Sequence, residues 1–358
     1  MATNMREVAR RAGVSVSTVS YVVNGGPRPV SDEVRRRVHG AMREAGYESG
    51  TRRRLRRRPQ AIGALVPDAT NSFFASVLEG AISVLGREGR LLLTASSGED
   101  PGREVEEFKA LRRAGIEGLL LTPRGRVAPE IQAAARAGFP VVLMDRDGAS
   151  DDLARVVMAN YRNALRAVRV LAESGHRRIA LVNGPASVST ARERQRGYAD
   201  ALAWADLPLR PEYVRVGPFS REHGRRATAA LMSLAEPPDA VFSSSAILTI
   251  GVLEALLERR LHWPDDIALI GYGDPPWAAL LSPPLTVIDQ PSRDIGATAA
   301  RVLLDGGGRQ GGRHVLDSHL VLRESHWRVV RSEAGEQRSG RRSPAAPLRA
   351  ADHSARVP

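Results

Sequence analysis

Hydroxyls, small apolar side chains and arginines crowd the first 25 residues, a combination suited to hydrogen bonding with phosphates and base edges. In REVARRAGVSVSTVSYVVNG, residues 6–25, Val8, Ala9 and Ala12 recur at helical spacing and leave Arg6, Arg10 and Arg11 to face solvent. Gly13 can end that helix in the left-handed conformation. Ser15 can start a second one by accepting from a backbone N–H two or three residues on. Val19, Val22 and Val23 give the second helix an apolar face, with Val16, Ser17 and Ser20 small near its start. Two short helices across a Gly-containing turn make a helix-turn-helix, whose second helix can enter a DNA major groove N-terminus first. An ordinary helical hairpin of a packed domain has the same pattern, so the segment alone leaves both readings open.

Charge favours the first. Residues 1–61 hold 14 Arg against five acids, a net +9 of the formal +12; residues 331–358 add +3 and the middle is balanced. A basic module on a neutral body is the electrostatic footprint of a nucleic-acid binder. Residues 48–61, ESGTRRRLRRRPQA, put six Arg in seven positions around Leu55. That density suits phosphate contacts, and it equally suits a solvated arm.

The remaining composition excludes much chemistry. The 358 residues contain no Cys, which removes disulfides, thiolate metal sites and a Cys nucleophile. The strands carry no G-x-G-x-x-G, H-E-x-x-H or G-x-S-x-G, so no catalytic residue, metal or cofactor is expected. No apolar run reaches the ~18–20 residues of a membrane span, and charges occupy the place of a signal peptide's apolar core. The expectation is a soluble cytoplasmic protein of two or three domains, without membrane contact.

These side chains need elements to position them. SDEVRRRVHGAMREAGY (31–47) reads as a third helix capped by Ser31, with Val34, Val38, Ala41, Met42 and Ala45 as its buried stripe. From residue 62 short apolar runs alternate with amphipathic stretches. The strands are AIGALVP (61–67), RLLLTAS (90–96), GLLLTP (118–123), PVVLMD (140–145), RIALVNG (178–184), DAVFSS (239–244) and DIALIGYG (266–273), each expected to precede a helix of ten or more residues. This is an α/β pattern of parallel sheets, with too many strands for one sheet, and RVVMANY (155–161) falls where a second lobe could begin. Ligands in such folds sit beyond the carboxyl ends of the strands, which here read Pro67-Asp68, Asp145-Arg146, Gly184-Pro185 and Gly273-Asp274. The Pro/Ser/Arg-rich stretch from about 331 to 358 reads as a disordered basic tail.

Together the residues resemble the lactose- and galactose-repressor (LacI/GalR) family of transcription regulators. VARRAGVSVSTVS, VVNG and AMREAGY match its head; VPDATNSFF (66–74), GHRRIALVNGP (175–185), STARERQRGY (189–198), ALLSPPLTVIDQP (279–291) and LVLRES (320–325) match its body. The resemblance implies a helix-turn-helix head over residues 1–47, a hinge over 48–61 and a body over 62–330 like a periplasmic sugar-binding protein. Lobe 1 would span about 62–158 and 291–318, and lobe 2 about 159–290 and 319–330. It implies a repressor that binds a palindromic operator as a homodimer, under control of a small, sugar-like effector.

Carried over by position, Val16 and Ser17 open the recognition helix and meet base edges. Tyr21 falls where many members have a base-reading Arg; it can offer a hydroxyl and a ring edge, or pack on the sugar-phosphate backbone. Ser15, Ser17, Thr18 and Asn24 suit phosphate contacts. In the hinge, Ser49-Gly50 replaces the family's Pro-Asn and Arg52 and Arg53 replace apolar positions, leaving Leu55 as the one minor-groove wedge; Arg52, Arg53, Arg54 and Arg56 could instead hold DNA by charge. For the effector the implied positions are Asn71, Phe73, Asp145, Arg146, Arg194, Phe219, Ser245 and Asp274. Asp145 and Arg146 could also pair with one another. Ser245-Ala246 replaces the usual Asn-Asp, and Gly273-Asp274 the usual Asp-Asp, which removes partners for a common hexose.

Overall fold

Three helices open the chain in the computed structural model, which describes residues 5–24, 30–45, 60–307 and 311–327. They are α1 (Met5–Ala12), α2 (Val16–Asn24) and α3 (Asp32–Glu44). Their shared core is Val8, Ala9 and Ala12 of α1, Val19 of α2, and Val38 and Ala41 of α3. Val34, Met42 and Ala45 pack at its edge. Gly13 ends α1 at φ 63°, where a side chain would be strained. The Arg37 guanidinium of α3 donates to the Ala12 carbonyl at the end of α1 at 2.6 Å, tying the turn to the third helix. Arg52, Arg53, Arg54, Leu55 and Arg56, with the rest of the Arg-rich stretch and the basic tail, lie outside the described residues.

Two six-stranded sheets follow. The first comprises β1 (Ala61–Val66), β2 (Leu91–Ser96), β3 (Leu119–Leu121), β4 (Val141–Asp145), β5 (Ala154–Met158) and β11 (Gly312–Leu316), all parallel, in the order β11-β5-β4-β3-β1-β2. The second comprises β6 (Ile179–Asn183), β7 (Val214–Val216), β8 (Ala240–Ser243), β9 (Ala268–Tyr272), β10 (Thr286–Asp289) and β12 (His319–Val321), in the order β12-β10-β9-β8-β6-β7. Only β12 runs antiparallel, against β10. In each sheet the first strand lies between the second and the third, so the winding reverses there and opens a crevice at the carboxyl ends. Central strands such as β4, β6 and β9 are buried along their whole length, which is why they read as unbroken apolar runs.

Helices α4 (Ser72–Arg87), α5 (Pro101–Arg113), α6 (Pro129–Arg136) and α12 (Ser292–Leu304) flank the first sheet. Helices α7 (Asn160–Glu173), α8 (Ser189–Trp204), α9 (Arg221–Leu231) and α10 (Ala246–Glu258) flank the second. Helices α4 and α12 cross at reciprocal glycines: a Cβ on Gly80 would strike the Arg293 carbonyl, and one on Gly296 the Val77 carbonyl.

Helix lengths depart from expectation at three strands. Strand β3 is followed by an eight-residue helix started at Pro129 and ended before Gly138, whose φ is 92°. After β9 comes α11 (Pro276–Leu280), five residues long, because Ser282-Pro283-Pro284 stops it. Between β4 and β5 the described chain makes only turns, through Gly148 and Ala149 at positive φ.

The chain passes between the sheets after β5, β10 and β11. All three passages meet at the Met158 sulfur, which accepts from Gln290 Nε2 at 3.7 Å and from the Ser318 hydroxyl at 3.8 Å.

Candidate DNA-reading helix and interlobe cleft

Helix α2 presents the head's exposed polar face. The Ser15 hydroxyl accepts from Thr18 N at 3.1 Å, which caps the helix, and it also bonds the Ser17 and Thr18 hydroxyls at 2.8 and 2.7 Å. The helix therefore begins with a cluster of hydroxyls at its positive end, where phosphate oxygens are favoured. Ser17 is exposed and Val16 is 42 % exposed, unusual for a branched apolar side chain beside an apolar core. Tyr21, four residues beyond Ser17, is half-buried and lies outside the core cluster that holds Val19. Asn24 is the last residue of α2.

The second assembly is a cavity of about 280 Å³ at the carboxyl ends of both sheets. Asn71, Phe73, Asp145, Arg146, Arg194, Phe219 and Ser245, seven of the eight expected effector residues, line it. Each is set by a strand end or a helix start. Asn71 caps α4 by accepting from Phe73 N at 3.0 Å, which fixes both side chains at the rim. Ser245 caps α10 by accepting from Leu248 N at 3.3 Å.

Arg194 is buried on α8, its guanidinium 3.7 Å above the Tyr272 ring. Its Nε donates to Asn160 Oδ1 at 2.9 Å and its Nη1 to the Ser244 carbonyl. Tyr272 donates to the same Asn160 oxygen at 3.2 Å. A guanidinium held by three neighbours is preorganised for a polar ligand.

Asp145 is the most constrained of the set. It closes β4 at φ 64°, a conformation costly for a side-chain-bearing residue, and is 6 % exposed. Its Oδ1 is buried without a hydrogen-bond partner, and Oδ2 lies 4.0 Å from Arg146 Nε. Burial pushes the carboxyl above its ordinary pKa, against the pull of Arg194 and Arg146.

Arg146 does not pair chiefly with its neighbour. Its two terminal nitrogens hold Glu99 at 2.9 and 2.7 Å, and Nη1 also donates to the Pro123 carbonyl at 3.2 Å. Asp274 stands apart from the other seven. Both its oxygens accept from Arg323, at 2.9 and 2.7 Å, and it faces a smaller adjoining cavity. Gly273, at φ 87°, links β9 to Asp274, and both residues line the smaller cavity and not the main one.

Glu99, Thr190, Ile247 and Gln290 also line the cleft, and motif reasoning passed over them. The strand-end rule had the signal for two: Glu99 follows β2 and Gln290 follows β10. Nothing local announces that Glu99 reaches Arg146, 47 residues away.

Two protein families match the chain in sequence order. "Bacterial regulatory proteins, lacI family" covers residues 4–49, and "Periplasmic binding proteins and sugar binding domain of LacI family" covers 59–322. The ribose operon repressor of Haemophilus influenzae is 33% identical over 331 residues, 91% of this chain and 98% of that one. The putative ribose operon repressor from Burkholderia thailandensis superposes with a TM-score of 0.68 at 31% identity, covering 74% of this chain and 99% of that one. The transcriptional regulator CelR, solved in complex with cellobiose, gives 0.67 at 31% identity over 90% of this chain and 99% of its own. With a three-helix head, a two-lobed body and matches that run through both, the chain belongs to the LacI family of DNA-binding transcriptional repressors.

Proposed function

We propose that Ser15, Val16, Ser17, Thr18 and Tyr21 form the operator-reading surface, and that the interlobe cleft takes an uncharged polyol that controls operator affinity. On the head, the hydroxyl cluster at the start of α2 positions phosphates, and the exposed Val16 and Ser17 with the half-buried Tyr21 meet base edges.

The observation that carries the effector reading is the unpartnered Asp145 oxygen, buried at the end of β4 beside the cavity. A buried carboxylate without a partner is expensive unless a ligand supplies donors. Paired hydroxyls do so, while Phe73 and Phe219 offer apolar faces to a ring's C–H groups. Arg146 is already bound by Glu99, which leaves Arg194 as the remaining cation against Asp68 and Asp145. The lining therefore disfavours an anion such as a sugar phosphate. The ribose and cellobiose in the names of two similar proteins belong to the same neutral polyol class.

The test is calorimetric titration of the full chain with a panel of neutral and phosphorylated sugars, repeated with Asp145→Asn. A neutral sugar should bind the wild type, and the substitution should weaken it by ten-fold or more. Tighter binding of the phosphorylated sugars would overturn the reading.

A further inference from the structure

Glutamate is seldom fully buried without a partner, and Glu104, in the first turn of α5, is 2 % exposed. Its Oε2 accepts from the Arg124 backbone N–H at 2.9 Å. The carbonyl of that same peptide unit, belonging to Pro123, accepts from Arg146 Nη1 at 3.2 Å. One peptide plane thus has a buried acid on one side and the cleft arginine on the other. A trans peptide is rigid, with its N–H and C=O pointing in opposite directions, so an acceptor that pins the N–H also aims the carbonyl.

The sheet does not hold this unit. Beyond β3 the Thr122 N–H still pairs with the Leu65 carbonyl at 2.9 Å, Pro123 has no N–H, and the next unit finds its partners in Glu104 and Arg146. The start of α5 therefore grips Arg146 twice. Glu99, next to the cap residue Asp100, takes both terminal nitrogens directly, and Glu104 acts through the peptide. Arg146 Nε is left buried and without a hydrogen bond, in a side chain that lines the cavity beside Asp145. The aim of that one N–H depends on both holds.

We propose that Glu104, which does not line the cleft, is a positioning residue for it: through the Pro123–Arg124 peptide it sets the Arg146 guanidinium. The inference rests on the reading of Arg146 as a cleft contact. The Arg146 charge also favours the Glu104 carboxylate through space, so the test must separate charge from acceptor.

Two substitutions do so. Glu104→Met removes the acceptor and the charge at similar volume, and Glu104→Gln removes the charge alone. Deuterium exchange of the ligand-free full chain is read over residues 141–149. Glu104→Met should speed exchange there by about five-fold or more, and Glu104→Gln should stay within about two-fold of wild type. The Val127 N–H also bonds the Gly148 carbonyl at 3.0 Å, a second route to this segment. Beside Arg146→Met, therefore, Glu104→Met should add nothing. Faster exchange confined to α5 and residues 122–127 would overturn the proposal. So would a Gln variant as perturbed as the Met variant, or an effect of Glu104→Met that persists alongside Arg146→Met. Calorimetry with the panel of neutral sugars reads the consequence: Glu104→Met should weaken a bound sugar by about five-fold or more, and Glu104→Gln should restore it. A sugar bound equally by wild type and Glu104→Met would overturn the hold of Glu104 on the cleft. No binding by any sugar overturns the polyol reading instead, and the exchange result then decides the role of Glu104 by itself.

Discussion

Tyr21 is the largest side chain on the outward stripe of α2, one helical turn beyond Ser17, and it packs outside the head's apolar core. Tyr21→Ala should therefore weaken operator binding by roughly 1–3 kcal/mol, the size of one base contact, with much less loss on random duplex. Binding titrations on both duplexes decide this, with circular dichroism of the protein to exclude unfolding; equal losses would place Tyr21 on the backbone. Asp145 yields a prediction of a different kind. Burial raises its carboxyl pKa in the folded chain, so the folded state holds this proton more tightly than the unfolded state does. Stability of the ligand-free protein should then fall as pH rises from the ordinary carboxylate range, about 4, through the raised value. Asp145→Asn keeps a side chain tolerant of positive φ and removes the charge, so it should melt higher than wild type above that window even as it loses effector. Thermal melts across the pH range test the sign: an Asn variant that melts lower at neutral pH would show that the carboxylate stabilises the empty cleft. Such a trade of stability against binding is what a strained, unpartnered group in a ligand site implies.

Strands and helices differ in how much of themselves the sequence displays. The central strands β1, β4, β6 and β9 are legible because both faces are covered, and α2 because its cap and apolar spacing agree. Edge strand β11, GRHVL, has no buried residue, so no apolar run marks it; its place is set by pairing with β5 across more than 150 residues. The cleft divides the same way: strand-end residues such as Asp145 and Ser245 are readable, whereas the Glu99–Arg146 pair and the Asp274–Arg323 pair depend on tertiary approach. Loop breakers explain the short α11 only after the fact, since Pro276 starts a helix as readily as it ends one. The C-terminal segment after β12 shows a further long-range device. His326, buried beside His176, bonds the Thr286 hydroxyl at 2.8 Å, while His176 bonds the His326 carbonyl at 3.1 Å and lies 3.8 Å from Asp239. Burial and the neighbouring His176 push His326 down to about 4, so it is neutral in the folded chain at neutral pH. The unfolded imidazole titrates near 6.5, hence stability is lost as pH falls from about 6.5 through about 4. His326→Asn should flatten that limb of the stability curve. Denaturant melts at several pH values measure it, and an unchanged acid limb would assign the loss to other groups.

At the scale of the molecule, a strongly basic head and linker are joined to a body whose charges cancel. The two sheets of that body are connected by three passages gathered at Met158, and Gln290, one of its donors, also lines the cleft. Effector contact and interlobe connection thus share a residue, which is the physical link a cleft ligand needs to bias the relation between lobes. DNA affinity itself should be set largely by the net +9 of residues 1–61. If a dimer neutralises about six to eight phosphates, the logarithm of the binding constant should fall with the logarithm of salt at a slope of about −5 to −7. Replacing Arg52, Arg53, Arg54 and Arg56 with Gln removes four charges per chain from the linker while leaving α2 untouched. The slope should flatten, the affinity should drop at every sequence alike, and the preferred operator should stay the same, because phosphate contacts position and base contacts specify. Titrations at several salt concentrations on operator and scrambled duplexes separate the terms. A changed base preference at an unchanged slope would mean that the linker reads sequence, and that Leu55 and its arginines enter a groove rather than follow the backbone.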